Sequence, residues 1–281
     1  MNQKVGWTLG VLFLAAALLA LPGPAKAEMY VEGYLGGVTA GGLDSSTTVK
    51  TPFTQNVNLN NQVVPLHFSA KGNLPGHPNA AVIGGLKIGY WFVPTGFGGY
   101  SYPDWMKYLG VYTDFSFHRL DVRQTQFGAK VFVNNVHVLT APADFESEGT
   151  VATWAFMLAA RYGFFPDSEV PFGRLQPYVA VGPAVLFSTQ RPKITVSQTP
   201  FGISPGSQSS VDIALAVDAG IRYMCLKNVS IDLSFKYRMA NPSYEYHGHL
   251  SNPFGVVIPT SFKYEPTYNL FSGQLGVAYH F

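Results

Sequence analysis

Bulky apolar side chains recur at every second position in eight stretches of this chain, and that period belongs to β-strands with two unlike faces. The stretches run approximately over residues 29–38, 82–92, 108–117, 152–164, 175–187, 211–223, 229–238 and 268–281. One face of each carries no charge, as in Leu109, Val111, Phe115 and Phe117, or Val211, Ile213, Leu215, Val217, Ile221 and Tyr223. The other face collects Glu32, Lys87, Asp114, Arg161, Asp212, Asp218, Arg222, Asp232, Lys236 and Arg238, five of each sign. A Lys or Arg on a lipid-facing strand at the bilayer midplane costs about 2–4 kcal/mol, so the uncharged face is the one lipid demands. The pattern predicts an all-β fold, an eight-stranded antiparallel transmembrane up-and-down β-barrel. The interior of such a barrel is just wide enough for side chains, so the ten charges are expected to pair and plug it.

The connections alternate in length. Links at about 39–81, 118–151, 188–210 and 239–267 are long, while those at about 93–107, 165–174 and 224–228 are shorter. Long extracellular and short periplasmic links place both termini in the periplasm. Aromatics near that rim predict an interfacial girdle of Trp91, Phe92, Tyr100, Tyr102, Trp105, Tyr162, Phe164, Phe165, Tyr223, Tyr279 and Phe281. Within the second long link, residues 131–138 read as two short strands about Asn134-Asn135. They extend the hairpin of the third and fourth strands above the membrane or, alternatively, complete a ten-stranded wall. Pro183 falls inside the fifth strand, where it removes a ladder hydrogen bond.

The N-terminus fits export. Lys4 precedes an apolar run from Val5 to Leu21, Pro22-Gly23-Pro24 breaks it, and Ala25-Lys26-Ala27 is a small-x-small cleavage site. A signal peptide over 1–27 and a barrel domain over 28–281 are expected. Lys4 and Lys26 leave with the signal, so the mature chain holds 16 basic and 16 acidic residues. That neutrality implies no nucleic-acid partner. Cys225, the single cysteine, reads as a small apolar residue beside a turn. No cofactor, metal or catalytic residue is assigned from the pattern.

The last seven residues place Leu275, Val277, Tyr279 and Phe281 on one face and Gly276, Ala278 and His280 on the other. This end resembles the C-terminal strand of bacterial outer-membrane barrels, which the barrel assembly machinery reads. Together with Tyr108-Leu109-Gly110-Val111-Tyr112-Thr113-Asp114-Phe115-Ser116-Phe117, Leu175-Gln176-Pro177-Tyr178-Val179-Ala180-Val181-Gly182 and the residues from Gly220 to Arg238, it makes the chain similar to the outer-membrane-protein β-barrel family, the small OmpA/OmpX-like barrels. The resemblance covers 28–281 and implies an integral outer-membrane protein, monomeric, in contact with outer-membrane lipid and lipopolysaccharide. No peptidoglycan-binding domain is expected after the barrel.

Three functions fit this reading. The first is a non-enzymatic barrel with a plugged lumen whose extracellular loops, with Tyr244, Tyr246, His247 and Phe254 in the fourth, make surface contacts. The second rests on His249-Leu250-Ser251-Asn252, which resembles the His-x-Ser-Asn pattern of outer-membrane lipid A 3-O-deacylases. That resemblance implies a triad of His249, Ser251 and a downstream Glu, here Glu265. Ten residues separate Arg238 from His249, longer than the family's spacing. His247 and His249 offer a metal two imidazoles without a third ligand. The third function is a narrow channel for small apolar solutes, which the inward charges oppose.

Overall fold

The computed structural model describes residues 28–43, 45–59, 62–93, 101–196, 202–251 and 257–281, with the backbone alone for 46, 48–59, 62–68, 202, 249–251 and 257–259. The predicted signal peptide and Tyr100 lie outside these residues. Fourteen strands are present among them, with one short 3-10 turn at Asp104–Tyr108.

The eight alternating stretches form the membrane wall. They are β1 (Glu28–Ala40), β4 (Ala81–Trp91), β5 (Leu109–Arg119), β7 (Val136–Arg161), β8 (Leu175–Val196), β10 (Gln208–Leu226), β11 (Val229–Ala240) and β14 (Tyr268–His280). Antiparallel pairing runs β1-β14-β11-β10-β8-β7-β5-β4 and closes from β4 back to β1. Every backbone group of a closed wall can find a partner, which lipid requires. Each strand turns its apolar face outward: Leu35, Val82, Phe115, Leu158, Val181, Ile213, Leu233 and Leu275, one per wall strand, are between 50 and 85% exposed. The β7–β8 pairing lapses between Ala155↔Ala184 and Leu158↔Val181, beside Pro183, without any change of register, as its missing N–H predicts.

The long extracellular links are not irregular loops. They carry β2 (Ser45–Leu59), β3 (Gln62–Leu74), β6 (Val122–Val133), β9 (Gly202–Ile203), β12 (Tyr244–Ser251) and β13 (Val257–Tyr264). None of these enters the membrane wall, so the ten-stranded alternative does not hold. Instead β7 and β8, of 26 and 22 residues, continue past the lipid belt in register as far as Ala143↔Val196. A second antiparallel ring, β8-β9-β12-β13-β2-β3-β6-β7, closes above the first and shares β7 and β8 with it. At about 3.3 Å per residue, β7 alone runs roughly 85 Å. Asn134 (φ 48°) and Asn135 (φ 64°) turn β6 into β7. Two successive positive φ angles match the right-handed twist of a two-residue hairpin, and Asn tolerates them.

The extracellular ring is filled as well. Leu43, Leu74, Phe145, Ile194, Ile203, Tyr246, Phe262 and Tyr264 are buried in it.

Candidate functional site

The sequence brings opposite charges face to face across neighbouring wall strands. Glu32 stands opposite Lys87 and Lys87 opposite Asp114; Asp218 stands opposite Lys236 and Arg222 opposite Asp232. Lys87 Nζ lies 3.0 Å from Glu32, 3.3 Å from Asp218 and 3.6 Å from Asp232, and donates to Tyr178 Oη at 3.1 Å. Arg222 reaches Glu32 at 2.5 Å and Asp232 at 3.4 Å. Higher up, Asp114 accepts from Tyr34 at 2.6 Å and Lys236 at 2.5 Å, with Arg238 at 3.7 Å. Tyr112 and Tyr178 donate to Asp218 at 2.8 Å and to Asp232 at 2.9 Å.

Nine of the ten charges expected in the lumen are buried. Asp212 is the exception: it is half-buried at the upper rim, where it accepts from Ser210. Its place in the ionic balance goes to Glu28, which pairs with Arg161. The tyrosines of the network escaped the sequence reading, although the signal was present. Tyr30 and Tyr34 flank Glu32 at i±2, and Gly89 and Gly85 stand opposite them in register. A Cβ at Gly89 would lie 2.3 Å from the Tyr30 ring, and one at Gly85 would lie 2.3 Å from Tyr34 Oη. Each glycine therefore makes room for a tyrosine ring across the ladder.

Both ends of this network are sealed. On the periplasmic side Arg161 is sandwiched between Trp91 and Phe172, 4.2 and 4.1 Å from the ring centroids. Trp91 also stacks on Tyr30 and is only 2% exposed. It is part of the lumen floor, a correction to its place in the predicted girdle, because an odd-numbered residue of β4 shares the face of Lys87. Tyr162, Phe164, Phe165, Trp105, Tyr223 and Tyr279 are exposed, as a girdle requires. On the extracellular side Tyr244 donates to Ser188 at 2.6 Å and meets Tyr268 at 2.9 Å, while Gln190 Nε2 donates to Tyr268 at 3.1 Å. Tyr246 donates to the Gln190 carbonyl at 3.0 Å and stacks on Phe262. Burial pushes the Tyr244 phenol up to about 12, which keeps it neutral. Tyr244 and Tyr246 are thus a plug between the two rings, not loop surface.

Outside, two features stand clear of the packed interior. A polar cleft of about 500 Å³, lined by Asn79, Asp121, Arg123, Glu146, Arg191 and Lys193 among others, opens at the foot of the extracellular ring. Further out, residues 136–142 of β7 pair with β6 on one side, and β8 joins the other side only from Ala143. Among the described residues no strand covers that edge. Val136, Val138 and Leu139 on it are 66, 57 and 48% exposed.

The three residues of the hydrolytic alternative are not brought together. The side chains of His249 and Ser251 lie outside the described residues, but their backbones are placed: His249 opposite Pro259 and Ser251 opposite Val257. Glu265 follows Tyr264, which stands opposite Tyr244 at the other end of the same hairpin. Six residues of strand separate those levels, roughly 20 Å at 3.3 Å per residue. Glu265 is exposed there and pairs with Lys263 at 2.7 Å. His247 is also exposed, 3.8 Å from Glu245. Among the described residues no group of three or more His, Cys, Asp or Glu could hold a metal ion. Phe254 lies outside the described residues.

Comparison with known proteins finds the outer membrane protein β-barrel domain over residues 11–281. No curated protein matches the chain. Among solved structures it is similar to the outer membrane protein OprG of Pseudomonas aeruginosa, at 15% identity and a TM-score of 0.40 over 91% of this chain and 96% of that one. It is also similar to Neisserial surface protein A, at 13% identity and a TM-score of 0.30 over 90 and 97%, and to the attachment invasion locus protein of Yersinia pestis, at 16% identity and 0.31 over 90 and 99%. At these scores the likenesses carry no functional weight.

Proposed function

Because this chain belongs to the outer membrane protein β-barrel family, we propose that it is a monomeric, non-enzymatic surface-contact protein of the outer membrane. Its lumen is closed, and its extracellular ring presents a binding edge. The observation that carries this reading is the edge at 136–142, which no other strand covers among the described residues and where exposed apolar side chains stand far from the bilayer. Thr140 stands 12 residues above Ala152, which pairs with lipid-facing Phe187. With a strand tilt near 40° that separation is on the order of 30 Å above the lipid belt. An uncovered strand edge recruits an extended segment of another polypeptide, with backbone bonds supplying affinity and alternate side chains supplying choice.

A sealed interior supports the other half of the reading. Solute would have to break the ion pairs of Lys87 and Arg222 and the Tyr244–Tyr268 layer in turn, so a steady conducting path is not expected.

The test uses whole cells expressing the intact protein or a Val136→Thr/Val138→Thr/Leu139→Thr variant, with the folded barrel checked by heat-modifiable migration. Attachment to protein-coated surfaces is expected to fall in the variant. Attachment that is unchanged, or regular conductance steps from the purified protein in planar bilayers, would sink the proposal.

A further inference from the structure

On the outward face of the extracellular ring, Lys71 of β3 stands directly opposite Lys130 of β6, the strand that pairs on its other side with β7. Like charges directly opposed across a ladder are destabilising, and a sequence under no other demand avoids them. Both side chains are exposed, and neither forms an ion pair with a carboxylate among the described residues. Along β7, which faces Lys130 through Thr140, no acidic residue occurs between Val136 and Ala143.

The surroundings complete a mixed surface. Lys71 Nζ lies 5.3 Å from the centroid of the Phe132 ring, and Phe132 packs edge-on against His137 at 5.5 Å. His137 Nε2 meets Thr140 Oγ1 at 3.1 Å. Two unneutralised ammonium groups beside a half-buried aromatic and a hydroxyl suit a ligand that carries repeated anionic groups on sugar rings. The lysines attract the anions, the ring faces take the C–H surface of a sugar, and among the described residues no carboxylate stands between them to repel it. The height of roughly 30 Å above the lipid belt puts the surface beyond lipid A phosphates of the same leaflet.

We propose that Lys71, Lys130 and Phe132 form a binding surface for a sulfated or phosphorylated polysaccharide. The inference rests on the surface-contact reading and names a partner chemistry for the face beside the β7 edge.

The test measures binding of dextran sulfate to the intact protein in detergent micelles, with uncharged dextran and polyglutamate of matched charge as comparisons. Expected are saturable binding of dextran sulfate at least about tenfold tighter than polyglutamate, no binding of dextran, and weakening as salt rises. Lys71→Gln/Lys130→Gln should lower the affinity at least about tenfold, and Phe132→Ala should lower it with the salt response unchanged. The double lysine variant also removes a repulsion, so it should fold at least as well as the parent. Affinity unmoved by the lysine pair, or polyglutamate bound as tightly as dextran sulfate, would overturn the inference. Attachment that still depends on Val136, Val138 and Leu139 would then leave the contact reading standing without it.

Discussion

Replacing Lys87 by Met is the sharpest test of the plugged lumen. Lys87 holds three carboxylates, Glu32, Asp218 and Asp232, within 3.6 Å, and only Arg222 would remain to neutralise them at that level. All five side chains are at most 2% exposed, so water does not replace the lost cation. Methionine conserves the aliphatic stem, and the perturbation is therefore the charge. Removing one partner from a buried ionic cluster costs about 3–5 kcal/mol, against about 0–1 kcal/mol for an exposed pair. The assay is urea unfolding of the full-length barrel refolded into lipid vesicles, followed by tryptophan fluorescence, with the slope compared between variants to confirm the same transition. A second substitution, Asp218→Asn, is expected to recover at least about 1 kcal/mol in the Lys87→Met background, because coupled neighbours are non-additive. A loss under about 1 kcal/mol, or no recovery, would mean that the lumen is solvated and the plug does not exist.

Four further outcomes follow from the same geometry. Leu233→Arg places a charge on the lipid face of β11, where Leu233 is 61% exposed, and should destabilise the vesicle-inserted barrel by about 2–4 kcal/mol in the same unfolding assay. Gly89→Ala forces a methyl against the buried Tyr30 ring and should cost about 1–3 kcal/mol, read as a lowered temperature of heat-modified migration on gels. In the periplasmic turn, backbone N–H bonds from Val170 and the Arg174 side chain hold the Asp167 carboxyl below its ordinary value of 3.8. A lowered folded-state value means that the contribution is complete above pH 3.8 and lost as pH falls through the folded value, so amide exchange at Glu169 and Val170 should accelerate only in strong acid and at neutral pH in Asp167→Asn. Lipid A from cells expressing the intact protein or Ser251→Ala should give identical mass spectra, and an acyl chain lost only with the intact protein would revive the hydrolytic reading.

Much of the candidate site was legible one strand at a time. The parity that puts Leu275 and Val277 outward also puts Glu32, Lys87, Asp114 and Asp232 inward, so the location of the charges followed from alternation alone. Their partners did not. Lys87 meets Glu32 only because β1 pairs with β4 in one register, and a shift of two residues would change every partner while preserving every face. Asp212 shows the limit from the other side: its parity is inward, yet its height on β10 leaves it at the rim.

The sequence by itself determined the wall. Eight alternating apolar faces, an interior of balanced charge and long links on one side specify an eight-stranded barrel, because lipid enforces period-2 hydrophobicity on any strand it touches. Water enforces no such pattern on the strands above the membrane. Among the described side chains of β3, β6, β12 and β13 one face meets solvent and the other a small core, and along these strands and β2 Asn, Gly and Pro interrupt the alternation, so they read as loops. Only tertiary pairing made them a ring, through the extension of β7 and β8 and closures as brief as Ser261↔Lys50 and the two residues of β9. The same pairing buried Tyr244 and Tyr246, kept Glu265 from His249 and Ser251, and set Lys71 against Lys130. Each of these depends on which strand lies beside which, a long-range choice that residue periodicity does not encode.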